Sequence, residues 1–245
     1  MNTIPPPIPL FEVLFEDADL LVVNKPAGLV CHPTKGDQYS SLISRARLHL
    51  GEAISCHMVN RLDRETSGVT LLAKNAKTAG ELGKIWERRG VQKEYLAIVH
   101  GTMLEKEGCI ELALGKDEKS QVAIKDCVRP DGSTARTNYW AERHFRREQN
   151  EFTLVRVLPH SGRKHQIRIH LAAVGHPIVG DKLYGGDEDL YLALVQDRLT
   201  PEQRKRLMLA NQALHACSLR FTWRGQEHHY SAAPDVEFKA FMSDV

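Results

Sequence analysis

Residues 57–74, HMVNRLDRETSGVTLLAK, place a cluster of charged side chains directly before an apolar run. The run at 69–73 is short and rich in apolar and branched residues, which favours a buried β-strand. Arg61 and Arg64 flank Asp63, and a nearby guanidinium favours the charged form of a carboxylate. Asp63 therefore has the character of a nucleophile. Taken alone, however, the charge pattern favours a structural ion pair on a loop before a strand.

Short β-rich runs alternate with a few helical segments on both sides of this stretch, and no internal repeat is visible. This mixture predicts one α+β domain with a large mixed, mainly antiparallel sheet, flanking helices and a central cleft. The predicted strands share short length and many β-branched or aromatic residues: 20–24, 69–73, 95–99, 134–140, 152–157 and 218–223.

Two helices are predicted from apolar residues spaced three and four apart. The first covers residues 79–86 and ends before Gly90, and the second covers residues 167–174 and ends before Gly175. On the second helix, Lys164 and His165 lie on turns neighbouring Arg168, so positive charge gathers on one face.

A third helix is predicted to begin at a capping box formed by Thr200 and Gln203, with a proline at its first position and Leu214 facing the core. Glycines and acidic residues predict an exposed loop at 180–190. Residues 224–225 separate two strand-like runs and predict a hairpin turn.

Composition restricts the class of protein. The 245 residues are 42% hydrophobic and 26% charged, which is typical of a globular protein, and the apolar runs fall far short of a membrane span. Residues 1–10 contain several prolines and no basic residue, which predicts a short extended arm and no secretory signal. The five cysteines form no CxxC pair, so neither a disulfide framework nor a zinc site is indicated, and we expect a reducing cytoplasm.

Charge is distributed unevenly along the chain, although its net value is only +2. Residues 143–170 contain seven cations and two glutamates, a basic patch for which phosphate is a plausible partner. A solvated surface with chance clustering explains the same count. The seven cations are Arg143, Arg146, Arg147, Arg156, Arg163, Lys164 and Arg168.

Five stretches in order resemble one family. NRLDRETSG at 60–68 is similar to the HRLDxxTSG motif of the RluA-type RNA pseudouridine synthases. Four further stretches are similar to motifs of the same family: EDADLLVVNKPAGLVCHP at 16–33, KEYLAIVHG at 93–101, SGRKHQIRIHLAAVGHPIVGDKLYGG at 161–186 and ALHACSLRFTW at 213–223. Each match is weak by itself, but five in order across the chain are not expected by chance. The resemblance implies a catalytic domain at residues 11–245.

The resemblance also implies roles for four residues. Asp63 matches the catalytic aspartate, and Arg168 matches a basic residue that pairs with it. Tyr95 matches a tyrosine that packs on the target uracil and helps to remove its C5 proton. Arg61 matches an arginine that enters the RNA stack where the uridine has left. Physical reasoning supports these roles. A uridine inside an RNA stem cannot reach a buried carboxylate unless its nucleotide is extruded, and planar side chains can then stack on the extruded base and on the bases it has left.

No cofactor or metal is implied by the resemblance. The reaction that the resemblance implies, isomerisation of specific uridines to pseudouridine in structured RNA, needs no redox step and no group donor. The sequence also has no glycine-rich dinucleotide or phosphate loop. His165, His170 and His176 are spaced by five and six residues, so they do not share one helical face as a metal site would require.

From the resemblance, the chain is expected to act on structured RNA, either tRNA or ribosomal RNA, as a monomer that meets no membrane. It departs from the family motif at Asn60, where a histidine is usual, and we expect no N-terminal S4 module before Phe11. A noncatalytic RNA-binding or chaperone module of the same fold remains a rival. A glycoside hydrolase is a further alternative, but it lacks an evident second catalytic carboxyl group.

Overall fold

The computed structural model describes residues 11–33, 40–51 and 53–243, so the arm predicted for residues 1–10 lies outside the described residues. The strands are β1 (Glu12–Glu16), β2 (Leu20–Lys25), β3 (His57–Met58), β4 (Ser67–Ala73), β5 (Val91–His100), β6 (Glu107–Glu111), β7 (Leu114–Lys116), β8 (Asp126–Val128), β9 (Arg136–Arg147), β10 (Asn150–Pro159), β11 (Leu214–Trp223) and β12 (Gln226–Ser231). The helices are α1 (Leu42–Leu50), α2 (Ala76–Glu87), α3 (Gln166–Ala173), α4 (Asp189–Val195), α5 (Pro201–Leu207) and α6 (Val236–Met242).

Ten strands form one large sheet, with the order β1-β2-β4-β11-β5-β10-β9-β6. Strand β3 adds to β4 and β12 adds to β11, whereas β7 and β8 form a separate two-stranded ribbon. The pair β4–β11 is parallel, and the other strand pairs of the described sheet are antiparallel. The predicted α+β fold with a mixed, mainly antiparallel sheet is therefore confirmed.

Helices cover both faces of the sheet around residues 20–23 of β2, which explains why these four residues are all apolar. Leu21 and Val23 pack in a cluster with residues of α1, whereas Leu20 and Val22 pack in a cluster with a leucine of α2. Because successive side chains of a strand point to opposite faces, a strand covered on both sides must be apolar throughout. Helix α1 therefore covers one face of the sheet at β2, and α2 covers the other.

Gly68 allows β4 and β11 to approach each other closely. Its φ is +117°, and a Cβ atom there would lie 2.3 Å from the carbonyl oxygen of Ala216. No larger residue fits this position without moving one strand. The neighbouring Ser67 hydroxyl also forms a 2.8 Å hydrogen bond with Nδ1 of His215 on β11. The end of the charged stretch is thereby fixed against the centre of the sheet.

The local signals for turns and helix starts are confirmed. Helices α2 and α3 form where the apolar spacing predicts them. Thr200 and Gln203 form the predicted capping box of α5. Residues 224–225 join β11 to β12, and both have positive φ values, +48° and +75°, as a type I′ hairpin turn requires.

The prediction that the third helix carries Leu214 is wrong. Helix α5 ends at Leu207, the next residue has a φ of +64°, and Leu214 is the first residue of β11. Leu214 pairs with Ala97 of β5. Pairing with the distant strand β5 therefore outweighs the helical spacing between Leu207 and Leu214.

The prediction of an exposed loop at 180–190 is wrong for its first part. Asp181, Lys182 and Leu183 are buried, and only the segment from Gly185 onward reaches the surface. The acidic and basic side chains are buried because each has a partner of opposite charge, and composition alone does not reveal such a partner.

Lys25 is fully buried at the end of β2. Its ammonium donates to the carbonyl oxygens of Pro26 at 2.9 Å, Leu29 at 2.7 Å and Arg64 at 3.1 Å. An ammonium has three donors, so this arrangement uses all of them. It ties the turn after β2 to the charged stretch before β4.

We predict that Lys25→Met lowers the free energy of unfolding by about 3 kcal/mol, because three carbonyl groups lose their donor. Urea denaturation followed by circular dichroism measures this change. Lys77→Met, at an exposed position on α2, is the matched control and is expected to change stability by less than about 0.5 kcal/mol. Equal effects of the two substitutions would contradict the structural role of Lys25.

Candidate active site

A cleft of about 780 Å³ lies over the centre of the sheet. Its walls come from the loop before β4, from residues 159–168 before and within α3, and from the middle strands β5 and β11. The four residues singled out in the sequence all line it: Arg61, Asp63, Tyr95 and Arg168. These side chains come from three separate stretches of the sequence, and the fold brings them to one place.

The loop 59–66, called here the Asp63 loop, is anchored first through its backbone and Asn60. The Asn60 carboxamide accepts from Leu71 N at 2.7 Å and donates to the Val69 carbonyl at 3.4 Å. The Asn60 side chain therefore makes hydrogen bonds to the backbone of β4 like those that a neighbouring strand would make. Asparagine at this position has a structural role in the present chain, and the departure from the family motif leaves Asp63 in the cleft.

Four other contacts hold the Asp63 loop beyond Asn60. Cys31 Sγ interacts with both the carbonyl and the amide of Leu62, at 3.3 and 3.4 Å. The Arg64 carbonyl accepts from the buried Lys25. Glu65 forms a 2.9 Å ion pair with the buried Lys182. Thr66 accepts a 2.7 Å hydrogen bond from the side chain of Gln212. Nearly every residue of the loop is thus held by another part of the fold.

Asp63 meets Arg168 at the cleft wall. Nη1 of Arg168 donates to Oδ2 of Asp63 at 2.8 Å, and the Asp63 side chain keeps 30% of its surface exposed. Among the described residues no hydrogen bond to the other oxygen, Oδ1, is found. The carboxylate is therefore held on one side and accessible on the other.

Arg168 is itself held by Asp181, which the sequence reasoning missed. Nε and Nη2 of Arg168 donate to the two oxygens of Asp181 at 2.7 and 2.9 Å, an arrangement of two parallel bonds. Asp181 also accepts from the backbone amides of Leu183 and Tyr184. The ring of Tyr184 lies 5.0 Å from the guanidinium carbon of Arg168. The GDKLYGG segment, whose composition suggested an exposed loop, is thus the support of the site.

Burial and charge act in opposite directions on this pair. Burial disfavours the charged forms of both groups, but the attraction between them is stronger. The carboxylates of Asp181 and Asp63 raise the pKa of Arg168, and the Arg168 guanidinium with two backbone amides lowers the pKa of Asp181. The site therefore contains a permanent buried cation that faces Asp63.

Tyr95 forms part of the apolar floor of the cleft. Its side chain packs against the cluster of Cys31, Leu62 and Ala216. Burial, together with the Asp63 and Cys217 side chains, raises the pKa of Tyr95, so the phenol is neutral at physiological pH. Arg61 is exposed at the edge of the cleft.

The seven cations of residues 143–170 do not form one surface. Arg163, Lys164 and Arg168 line the cleft, whereas Arg146 pairs with Glu151 near the far end of β10. Eight residues of extended strand separate Glu151 from Pro159 at the cleft, a distance of about 26 Å. The continuous basic patch predicted from the sequence is therefore divided by the length of β10.

No metal site is found in the part of the chain that the structure describes, since no three His, Cys, Asp or Glu side chains there are grouped to hold an ion. The three histidines considered in the sequence make separate contacts. His165 bonds to Tyr184, His170 to Thr137, and His176 to the carbonyl of His100.

The sequence and the fold are similar to those of known proteins. A family model described as RNA pseudouridylate synthase matches residues 19–173. The chain is 38% identical over 186 residues to the dual-specificity RNA pseudouridine synthase RluA of Vibrio parahaemolyticus, which covers 75% of this chain and 73% of that protein. It is 33% identical over 236 residues to the ribosomal large subunit pseudouridine synthase D of Vibrio cholerae, with 95% of this chain and 67% of that protein covered.

Among solved structures, human RNA Pseudouridylate Synthase Domain Containing 4 superposes with a TM-score of 0.70 and 26% identity, covering 93% of this chain and 90% of that one. Several curated relatives are longer than this chain, which spans 58–59% of their length. The resemblance to the RluA type found in the sequence is thus confirmed.

We predict that Asp181→Asn lowers the free energy of unfolding by about 3 kcal/mol, because it removes one of the charges that compensate the buried Arg168. Thermal and urea denaturation measure the change. Asp131→Asn, which affects an exposed ion pair with Arg129, is the matched control and should leave the unfolding midpoint nearly unchanged. An Asp181→Asn protein as stable as the wild type would show that Arg168 does not depend on this carboxylate.

Proposed function

The chain belongs to the RNA pseudouridylate synthase family, and we propose that it isomerises specific uridines to pseudouridine in structured RNA. The observation that carries the proposal is the position of Asp63. One oxygen of this carboxylate is bound by a buried arginine, and the side chain opens into a cleft lined by cations and an aromatic floor. Residues 11–245 would form the catalytic domain.

In the proposed mechanism Asp63 assists cleavage of the bond between C1′ and N1 of the uridine. Two routes remain open: the carboxylate attacks C1′, or it removes the proton at C2′. The freed uracil then turns in the cleft and C5 bonds to C1′, which displaces the Asp63 carboxylate on the first route and returns the proton from Asp63 to C2′ on the second. C5 then loses its proton and N1 gains one, so the Asp63 carboxylate is regenerated. Arg168 holds Oδ2 and keeps a positive charge beside the carboxylate throughout. Both atoms of the broken bond stay in the product, so no group donor is required.

Tyr95 and Arg61 are proposed to bind the RNA. Tyr95 offers an apolar aromatic surface on the cleft floor, and stacking of a base on such a ring contributes about 1–3 kcal/mol. Its phenol oxygen is the group that would help to remove the C5 proton of the uracil packed on the ring. Arg61 is exposed at the cleft edge, where a planar guanidinium can stack on the bases that the extruded uridine has left.

We further propose tRNA or ribosomal RNA as the substrate of a monomeric enzyme. Arg163 and Lys164 are exposed at the cleft and suit phosphate groups. The free cysteines of the described chain favour a reducing cytoplasm. None of the helices in the described part of the chain has the length and hydrophobicity that crossing a bilayer requires.

The alternative functions differ from this proposal in testable ways. A glycoside hydrolase of the common kind uses two carboxyl groups, but among the described residues that line the cleft Asp63 is the only carboxylate. A noncatalytic RNA-binding module would bind the same RNA without needing the charge of Asp63.

We predict that Asp63→Asn abolishes pseudouridine formation and leaves RNA binding within about threefold of the wild type, since the amide keeps the shape and loses the charge. Pseudouridine mapping of total RNA from deletion cells complemented with each variant measures the activity. Wild type and Asp131→Asn should restore every lost site, and Asp63→Asn none. Full restoration by Asp63→Asn, or deletion without loss of any site, would refute the proposed activity.

We also predict that RNA binding weakens steeply as salt rises from about 50 to 200 mM, because bound cations release counterions from phosphates. Arg163→Ala and Lys164→Ala should each reduce the slope of log Kd against log salt by about one. Arg146→Ala, at the distant end of β10, should leave the slope unchanged. Fluorescence anisotropy with labelled tRNA and ribosomal RNA fragments provides the test, and an equal effect of Arg146→Ala would contradict cleft binding.

A further inference from the structure

His165 is a second group beside Asp63 that the proposed mechanism does not use. It is the residue before α3, with a left-handed backbone conformation of φ +56°, and its side chain makes no capping bond to the helix. The ring points into the site instead, where Nε2 lies 3.9 Å from Oδ2 of Asp63. This is the oxygen that Arg168 binds. The side chain of His165 is only 8% exposed.

The hydrogen bonds around His165 favour a proton on Nε2 of its ring. Nδ1 lies 2.9 Å from the hydroxyl of Tyr184. That hydroxyl accepts a hydrogen bond from the backbone amide of Asp126 at 3.2 Å, so its own proton is free to be donated to Nδ1. A neutral imidazole that accepts at Nδ1 must carry its proton at Nε2. The proton of Nε2 then faces Asp63.

Burial supports the neutral state of the ring. Burial lowers the pKa of His165 to about 4, and the nearby Arg168 and Lys164 act in the same direction, whereas Asp63 and Asp181 act against it. The ring therefore stays neutral at physiological pH. A neutral ring can donate from Nε2, but it cannot replace Arg168 as the cation of the site.

We propose that His165 is a positioning residue, held by Tyr184 with its proton on Nε2, which serves as the second donor to Oδ2 of Asp63. This inference rests on the proposed function. The present separation of 3.9 Å exceeds a hydrogen bond, and catalytic contacts of this kind often shorten only when the substrate binds. Two donors on one oxygen fix the rotation of the carboxylate and leave Oδ1 to face the sugar.

The position of the proton is measurable without any RNA. In protein labelled with ¹⁵N-histidine, long-range ¹H–¹⁵N spectra distinguish the two neutral tautomers, and the signal missing from His165→Gln identifies the residue. At pH 7 we expect His165 as the neutral Nε2–H form, and in Tyr184→Phe a mixture with the Nδ1–H form. A doubly protonated ring, or an Nδ1–H form in the wild type, would overturn the proposal.

Substituting His165 by glutamine or by asparagine separates the effect of the Nε2 donor from the effect of losing the imidazole ring. The glutamine amide reaches the position of Nε2, whereas the asparagine amide reaches that of Nδ1. Under single-turnover conditions with saturating RNA, His165→Asn should slow pseudouridine formation about 10- to 100-fold, the loss expected for a bond to a charged group. His165→Gln should stay within about threefold of the wild type. RNA Kd should not change in either variant.

Failure of this inference is distinguishable from failure of the proposed function. If the wild type is active and both variants match its rate, or both lose equally, the donor role of His165 is refuted and the proposed function stands. If Asp63→Asn keeps full activity, the proposed function is refuted, and with it the role of His165.

Discussion

The candidate site depends on the hydrogen bonds that the buried guanidinium of Arg168 makes to two carboxylates. Two of its nitrogens bind Asp181, a third binds Asp63, and the ring of Tyr184 lies close to its guanidinium. Because a buried cation without partners is very costly, these groups must keep their relative positions for the fold to be stable. Arg168 on α3 therefore holds the Asp63 loop and the segment around Asp181, which follows α3, as a single unit.

Two buried lysines also hold the Asp63 loop. Lys25 binds the carbonyl of Arg64, and Lys182 binds the carboxylate of Glu65 and two further carbonyls. Both ammonium groups are almost completely removed from water, so their hydrogen bonds are difficult to exchange for solvent. The loop is thus preorganised before any RNA arrives, which lowers the cost of aligning a carboxylate with its substrate.

Sequence signals predicted those parts of the fold that depend on neighbouring residues. The capping box of α5 and the turn at 224–225 follow from local hydrogen bonds and backbone angles. The six predicted strands follow from side-chain composition, whereas the short strands β1, β3, β6, β7 and β8 were not predicted. Leu214 was assigned wrongly because its strand partner lies more than a hundred residues away in the chain. Local spacing cannot contain that information, since strand pairing is decided by the whole sheet.

The candidate site could be predicted from the sequence to a similar extent as the fold. The order of the motifs indicated Arg61, Asp63, Tyr95 and Arg168, and the fold brings all four to the cleft. Asp181 and its neighbours were missed because glycine and charge are typical of exposed loops. A signal was present, since the stretch 161–186 that resembles the family continues through GDKLYGG. A charged segment inside a matched motif is better interpreted as a buried partner for another charge.

The segment 161–168 carries two kinds of side chain close together in the sequence. Arg163 and Lys164 are exposed, whereas His165 and Arg168 face Asp63. Gln166 holds the segment in place, because its amide accepts from Ser161 and donates to β9. Since the segment is rigid, the exposed cations and the groups around Asp63 keep a fixed geometry. A phosphate bound by the former would therefore have a defined position relative to the carboxylate, and under the proposed function the same few residues would set both RNA register and carboxylate orientation.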